Sequence, residues 1–497
     1  MSESQEIRHA DGRVELRAPE ELTASPLYNH DLAPVAIGKR TWNTWDYAAL
    51  WISMAHCIPT YTLASGMIAQ GMAWWQALTT ILLGNLIVLA PILLNSHPGT
   101  KYGIPFPVFA RAAYGTTGAN LPALMRALIA CGWFGINTWI GGMALQVFIR
   151  ALWPGWHDLL GISSYPTKGF ENTQWVAFAL FWGLNIFIIF RGMELLRRVE
   201  RFAAPFVLVM TAALLVWMLK EAGGLGPILE RSSFEPSAKH PSLMGVMIPA
   251  LTGTIAFWST LSLNMPDFTR YGRSQKEQAV GQTVALPSTM TVFAAMGIMI
   301  TSATWIVYKD PIDNPILLAS KFDSRLIVGI ATFTIVIATL AVNIAANVVS
   351  PANDFANAFP KKINFQRGGL ITGILGIAVM PWELLKDSDR YINGWLGGYG
   401  AALGSIGAVL IVDYWILHKT ELDLRSLYVT DGRYRYKNGW NIPAVVATVI
   451  GAGIALLGAF WEPMKPIYDF SWFAGFGIAG TIYYALMRAQ GSASKNR

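Results

Sequence analysis

The sequence predicts an all-α polytopic membrane protein with twelve transmembrane helices. Composition, the spacing of apolar runs and the placement of basic residues carry that expectation. Of 497 residues, 53% are hydrophobic and only 13% charged, whereas a soluble domain carries about 25% charged residues. So much apolar surface needs lipid to cover it. Crossing about 30 Å of hydrocarbon takes about 20 apolar residues in a helix. Windows of that kind fall near 46–68, 73–95, 119–150, 174–191, 200–220, 244–265, 281–307, 326–350, 368–385, 391–416, 443–461 and 470–487. With the N-terminus inside, 25 of the 37 Lys and Arg lie in inside segments, 11 in outside segments, and Arg126 alone within a span. That bias places both termini in the cytoplasm and the chain, multi-pass, in the cell (inner) membrane.

The flanks and motifs narrow the class. Residues 1–38 are polar and mixed in charge, without a basic-then-apolar signal peptide, and read as a flexible cytoplasmic tail. Cys57 and Cys131 both fall in apolar runs, so no disulfide framework is implied. No segment outside the membrane is long enough for a catalytic domain, and no Walker loop, H-E-x-x-H or Cys/His cluster at metal spacing is present. The expectation is a protein that is not an enzyme, with no cofactor, no metal and no nucleic-acid partner. Gly398-Tyr399-Gly400 half-matches a channel-filter triplet, but within a predicted helix it reads as close packing by small residues.

Polar residues in the wrong solvent mark the candidate site. In WISMAHCIPTYTLASG, His56, Cys57 and Pro59 interrupt the first span, with Ser53 one turn before His56. Pro59 removes a backbone donor, so the helix should bend or break there. The sixth span, LTGTIAFWSTLSLNMPDF, carries Gly253 and Trp258, then Asn264, Pro266 and Asp267. Paired interrupted helices in two halves point to a secondary transporter's binding site. In the third span, Arg126, Trp133 and Asn137 share one helical face. A Trp one turn from an Asn can stack a flat ring and pair with its amide edge. The eighth span adds Asn343 and Asn347. Each has a plainer reading. Trp133 and Trp258 fit packing or an interfacial belt, and Asn137 and Asn347 fit interhelical hydrogen bonds. His56 fits a neutral ring bonded to a carbonyl freed by Pro59. Arg126 fits snorkelling or an acidic partner, and Asp267 a loop anchor.

At these residues the chain resembles the first class of nucleobase–cation symporters, which includes allantoin, hydantoin and uracil permeases. The resemblance runs from about Lys39 to Arg488 through HPGTKYGIPFPVFARAAYG, GWFGINTWIGG, LNMPDFTRY, AANVVSPANDFANAFPKKINF and the DYW…ELDLRSLY…GRYRY run. It implies a leucine-transporter-type fold over residues 39–488. Two inverted five-helix repeats would span about 46–220 and 244–416, with extra helices at about 443–487 and a cytoplasmic C-terminal tail at 489–497. It further implies a substrate between helices 1, 3, 6 and 8, sandwiched by Trp133 and Trp258. The family's helix-3 amide, commonly Gln, is here Asn137, and its helix-8 Asn is Asn347. Sodium-coupled members use helix-1 carbonyls with helix-8 hydroxyls. The matching positions here are Ala338, Ala341 and Val342, which puts sodium in doubt and turns attention to H+.

The expected function is a secondary active transporter that imports a small flat nucleobase or ureide ring by alternating access. Uracil, allantoin and hydantoins are the candidates, with uracil first. Substrate contacts are expected from Trp133, Asn137, Trp258, Asn347, His56 and Cys57. The coupling ion is expected near Ser53, His56, Ala338 and Ala341, and is H+ rather than Na+. The alternative is a passive channel or facilitator for a small neutral solute such as urea.

Overall fold

The structure, a computed structural model, describes residues 6–156, 159, 171–191, 193–384 and 394–495. The chain begins with a short antiparallel hairpin, β1 (Glu6–Arg8) and β2 (Val14–Leu16). Helices α1 (Thr44–Ala55), α2 (Ile58–Ala69), α3 (Trp74–Tyr102), α4 (Phe106–Tyr114), α5 (Asn120–Leu152), α6 (Asn172–Arg191) and α7 (Met193–Ala222) form the first half. The second half holds α8 (Leu243–Asn264), α9 (Pro266–Thr269), α10 (Gln275–Tyr308), α11 (Pro315–Ala319), α12 (Arg325–Asn347), α13 (Val349–Ala358), α14 (Phe365–Ala378), α15 (Pro381–Leu384) and α16 (Gly397–Ile411). Helices α17 (Ile442–Leu456), α18 (Lys465–Asp469) and α19 (Ser471–Lys495) follow.

Among the described residues nine helices are long and apolar enough to cross a membrane. A tenth span arises if the bent pair at Glu462–Asp469 and Ser471–Gln490, meeting at 84°, is counted as one. The expected twelve is not reproduced, for two physical reasons. The window at 46–68 is broken into two twelve-residue helices, and the window at 368–385 holds only the fourteen residues of α14 before α15. Residues 385–393, with Lys386 and Arg390, and Lys168, all counted above among the outside basic residues, lie outside the described residues.

The two halves pack as copies of one plan. Helix α1 packs on α10 and α3 on α8, and α5 packs directly on α12. Advancing each member by five spans turns the first pair into the second and leaves the third unchanged. The contacts of α1 with α7 and of α8 with α16 correspond in the same way. This reciprocity is what two inverted five-helix repeats require.

The break in the first span follows from local chemistry. A capping box starts α1: Asn43 Oδ1 accepts from the amides of Trp45 and Asp46, and Asp46 Oδ2 accepts from the Asn43 amide. His56 (φ −83°, ψ 80°) and Cys57 (φ −140°, ψ 155°) leave the helical region. Pro59 then sits in the first turn of α2, where its missing N–H costs nothing. The Ala55 carbonyl freed by the break accepts from the Thr60 hydroxyl at 2.9 Å.

The sixth span behaves differently from the expectation of a matching interruption. Helix α8 runs unbroken through Gly253 and Trp258 and ends only at Met265, before Pro266. Its hydroxyls explain why. Thr254 and Ser259 each donate to the carbonyl four residues back, Ala250 and Ile255, at 2.8 and 3.0 Å. They are satisfied inside a regular helix and need no unwinding.

The leading segment is docked where a flexible tail was expected. Val14, Leu22 and Leu32 are buried, and Arg40 donates to the carbonyls of Val14, Val35 and Thr100. Asn29 donates to the carbonyls of Pro360 and Ile363, and Ser25 to that of Tyr428. Few apolar side chains suffice here because the segment satisfies polar groups of the helix connections.

Candidate binding site

Helices α1, α5, α8, α12 and α16 meet at the middle of the bundle. There Cys57, Trp133, Asn137, Trp258 and Asn347 line one cavity, together with Phe257. Five of the six substrate-contact residues expected from sequence therefore converge. The sixth, His56, does not line this cavity. Its Nε2 lies 2.6 Å from the Thr211 hydroxyl of α7 and 3.2 Å from the Tyr61 hydroxyl of α2. His56 instead borders a second, larger and mostly apolar cavity of about 220 Å³, which Ala338 also lines. Cys57 lines both. Ser53 and Ala341 are buried and line neither.

The central cavity is narrow. Its free volume is about 20 Å³, room for about one water. Phe257 joins the two tryptophans, with ring centroids 5.2 Å from Trp133 and 4.9 Å from Trp258. Trp51 of α1 meets Trp258 edge-on at 5.1 Å. A flat ring enters only when this aromatic cluster opens. Trp133 Nε1 donates to the Tyr399 hydroxyl at 3.2 Å, which brings α16 into the site. Sequence reasoning named Tyr399 only as part of a small-residue packing stretch and missed Phe257. The first is brought in by tertiary packing, and the second is adjacent to Trp258, off any helical-face pattern.

Several polar atoms here are buried without a hydrogen-bond partner: Asn137 Oδ1, Trp258 Nε1, Trp51 Nε1, Ser53 Oγ and His56 Nδ1. An unmade buried hydrogen bond costs about 1–3 kcal/mol, so Asn137 and Trp258, which line the cavity, suit a ligand with its own amide edges, while Trp51, Ser53 and His56 lie outside its lining. The opposite wall carries a hydrogen-bonded ladder. Asn347 Nδ2 donates to Asn343 Oδ1 at 3.1 Å, and Asn343 Nδ2 lies within bonding distance of Asn185 Oδ1, Thr138 Oγ1 and the Phe134 carbonyl.

Below the cavity Arg126 is completely buried and neither snorkels nor pairs directly with an acid. Its Nε and Nη2 donate to Asn264 Oδ1 at 3.2 and 3.0 Å, and Nη2 donates to the carbonyl of Ala346, a cavity residue, at 3.0 Å. Asp267 anchors the connection nearby: its Oδ1 accepts from the Phe106 amide and from Asn353 Nδ2. The close approach of α5 to α14 explains Gly135 of GWFGINTWIGG, where a Cβ would strike the Gly376 backbone, while Gly141 and Gly142 lie against Phe181 and Phe178 of α6.

Residues 34–475 match the family described as permease for cytosine/purines, uracil, thiamine, allantoin. The allantoin permease of Bacillus subtilis is 40% identical over 470 residues, covering 94% of each chain. A purine-uracil permease of Arabidopsis thaliana is also 40% identical, over 477 residues covering 94% of this chain and 78% of that one. Among solved structures, the nucleobase-cation-symport-1 family transporter Mhp1, closed with bromovinylhydantoin bound, superposes with a TM-score of 0.77. It is 22% identical and covers 94% of this chain and 96% of its own. MhsT in complex with L-phenylalanine superposes at 0.54, with 15% identity over 89% and 97%. These likenesses bear out the expected fold. The chain belongs to the family of permeases for cytosine and purines, uracil, thiamine and allantoin, and is a membrane transporter rather than an enzyme.

Proposed function

We propose that the protein imports a small, flat, uncharged pyrimidine or ureide ring across the cell's inner membrane, with both termini cytoplasmic, by alternating access coupled to H+. The observation that carries this reading is the convergence of Trp133, Asn137, Trp258, Asn347 and Cys57 on one narrow cavity. The tryptophans stack on the ring, at about 1–3 kcal/mol per stacked face, and the asparagines bond its amide edges. Uracil and allantoin are the first candidates, because the allantoin and purine-uracil permeases are equally similar to this chain. A cavity with room for about one water supports a carrier that opens and closes, in contrast to a continuous pore.

The preference for H+ rests on the buried apolar residues Ala338, Ala341 and Val342, which offer no hydroxyl oxygens to sodium. Ser53 and His56 hold unpaired polar atoms at the break and are the groups proposed to serve the coupling ion. The test is uptake of labelled uracil and allantoin by cells expressing the protein, in sodium-free buffer, with each unlabelled ring as competitor. Saturable, competed uptake driven by an inward proton gradient is expected. Uptake that requires sodium would overturn the coupling. In His56→Gln, pH-dependent accumulation equal to wild type would remove His56 from the proton's path.

A further inference from the structure

The orientation of the Asn347 amide is dictated by residues that do not line the cavity. Asn185 Nδ2 donates to the Phe181 carbonyl within α6 at 2.8 Å, which turns Asn185 Oδ1 toward α12. The Thr138 hydroxyl donates to the Phe134 carbonyl at 2.6 Å, which leaves its oxygen as an acceptor. Asn343 thus meets three acceptors on one side: Asn185 Oδ1 at 3.2 Å, Thr138 Oγ1 at 3.0 Å and the Phe134 carbonyl at 3.3 Å. A side-chain amide has one donor end and one acceptor end of similar shape. Three acceptors hold its nitrogen end there, so Asn343 Oδ1 faces the other way. Asn347, one turn further on, commits an N–H to that oxygen at 3.1 Å. The ladder ends at Asn347 Oδ1, which has no hydrogen bond to a described residue. Asn137, across the same cavity, is bonded to no described residue and is free to turn.

We propose that Asn343 is a specificity-determining positioning residue. It sets the hydrogen-bond polarity of the cavity by holding Asn347 with its oxygen toward the ligand, so that the site selects rings presenting an N–H there. This rests on reading the cavity as the substrate site. The inference separates the roles of the two asparagines: Asn347 reads one ring position, and Asn137 adapts to whatever the opposite edge offers.

The test measures displacement of radiolabelled uracil from the purified full-length protein. The competitors are cytosine, in which ring N3 is an acceptor, and 4-pyrimidinone, in which N1 is. Cytosine reverses N3 and also carries a 4-amino donor in place of the O4 acceptor, and 4-pyrimidinone reverses N1 and also lacks the 2-oxo group, so each competitor is judged by how its ratio to uracil changes between wild type and variant. Wild type is expected to reject at least one of them by about tenfold or more relative to uracil, the effect of one mispaired buried hydrogen bond. Asn343→Leu is expected to shrink that ratio about tenfold while the melting temperature reports a folded protein, because a released Asn347 amide can turn to suit either ring. Thr138→Val and Asn185→Leu, which each remove one acceptor, are expected to shrink it about two- to threefold. They test the ladder even if Asn343→Leu does not fold. An unchanged ratio in the folded variants, or a wild type that binds uracil without discriminating, would overturn the role of Asn343. A wild type that binds neither uracil nor allantoin overturns instead the reading of the cavity.

Discussion

Asn347 and Asn137 face the same cavity from α12 and α5, yet the two walls behind them are built on opposite principles. Behind Asn347 every amide has a partner, through Asn343 to Asn185 and Thr138 and on to backbone carbonyls of α5 and α6. On the other side, Asn137 and Trp258 hold buried polar atoms without one, as do Trp51, Ser53 and His56, which lie outside the cavity's lining. A satisfied polar network is rigid, and an unsatisfied one is stabilised by whatever completes it. The difference teaches how a narrow site of this kind divides labour. One wall measures the ligand, and the other responds to it. The break between α1 and α2 lies on the responsive side, where the backbone has already left the helix.

The largest expected effect comes from removing the foot of the measuring wall. Arg126 holds Asn264 of α8 and the Ala346 carbonyl of α12 together. Arg126→Met strands both acceptors in a buried place and withdraws a cation from the neighbourhood of Asp267 and Asp354. Removing one member of a buried charged network costs about 3–5 kcal/mol, so thermal unfolding in detergent should show a large loss of stability. Arg126→Lys should recover less than half of it, because a single ammonium does not reproduce the guanidinium fork that reaches both acceptors. A lysine variant that melts like wild type would show that charge alone, and not the bridge, anchors the wall.

Much of this arrangement is legible in the sequence, and the exceptions have physical causes. Trp133 and Asn137 stand one turn apart, so helical periodicity alone puts them on one face. Pro59 announces the break, because no side chain can replace the missing N–H. The sequence does not reveal which way His56 turns, since its partners Thr211 and Tyr61 come from packing of α7 and α2. Asn343 reads as one more polar residue of the eighth span until its partners Asn185 and Thr138, each anchored to a different backbone carbonyl, are seen. In the sixth span the helix runs on past Gly253, where the hydroxyls of Thr254 and Ser259 find carbonyls one turn back, and ends only at Asn264, before Pro266. The leading segment was misjudged because Val14, Leu22 and Leu32 are too sparse to show a pattern, yet each is buried against the helix connections.

A middle-sized effect should separate the two asparagines directly. Asn347→Gln lengthens an amide whose nitrogen is held by Asn343, so its oxygen must move or the ladder must break. Affinity for the transported ring is expected to fall about tenfold, the scale of one buried hydrogen bond. Asn137→Gln lengthens an amide bound to no described residue, and affinity should stay within about threefold because the side chain is free to adjust. Equilibrium binding to the two purified variants checks both. Equal losses would erase the distinction between a measuring and a responding wall.

The smallest effect is expected on α16, which belongs to neither wall but supplies Tyr399 to the aromatic cluster. A π-helical turn over Val412–Leu417 ends this span, and His418 just beyond it places Nδ1 3.1 Å from Asp413 Oδ2. Asp413 Oδ1 also accepts from the Tyr483 hydroxyl of α19 at 2.7 Å. Burial of the His418 ring disfavours its charged form, but the hydrogen bonds and negative charge of Asp413 outweigh it, so the His418 pKa is raised. The sign follows from linkage. A group whose folded pKa lies above its unfolded value of about 6.5 stabilises the fold fully below that value. The contribution fades as pH rises through the folded value. The melting temperature of wild type should therefore fall over that window, and His418→Gln should lack that component, the two curves converging at the alkaline end. The ring-displacement ratios that report on Asn343 should not change across the same pH range, because the His418–Asp413 pair lies outside both walls. If they did, α16 would have to be counted as part of the measuring wall, with Tyr399 and Trp133 as its connection to the cavity.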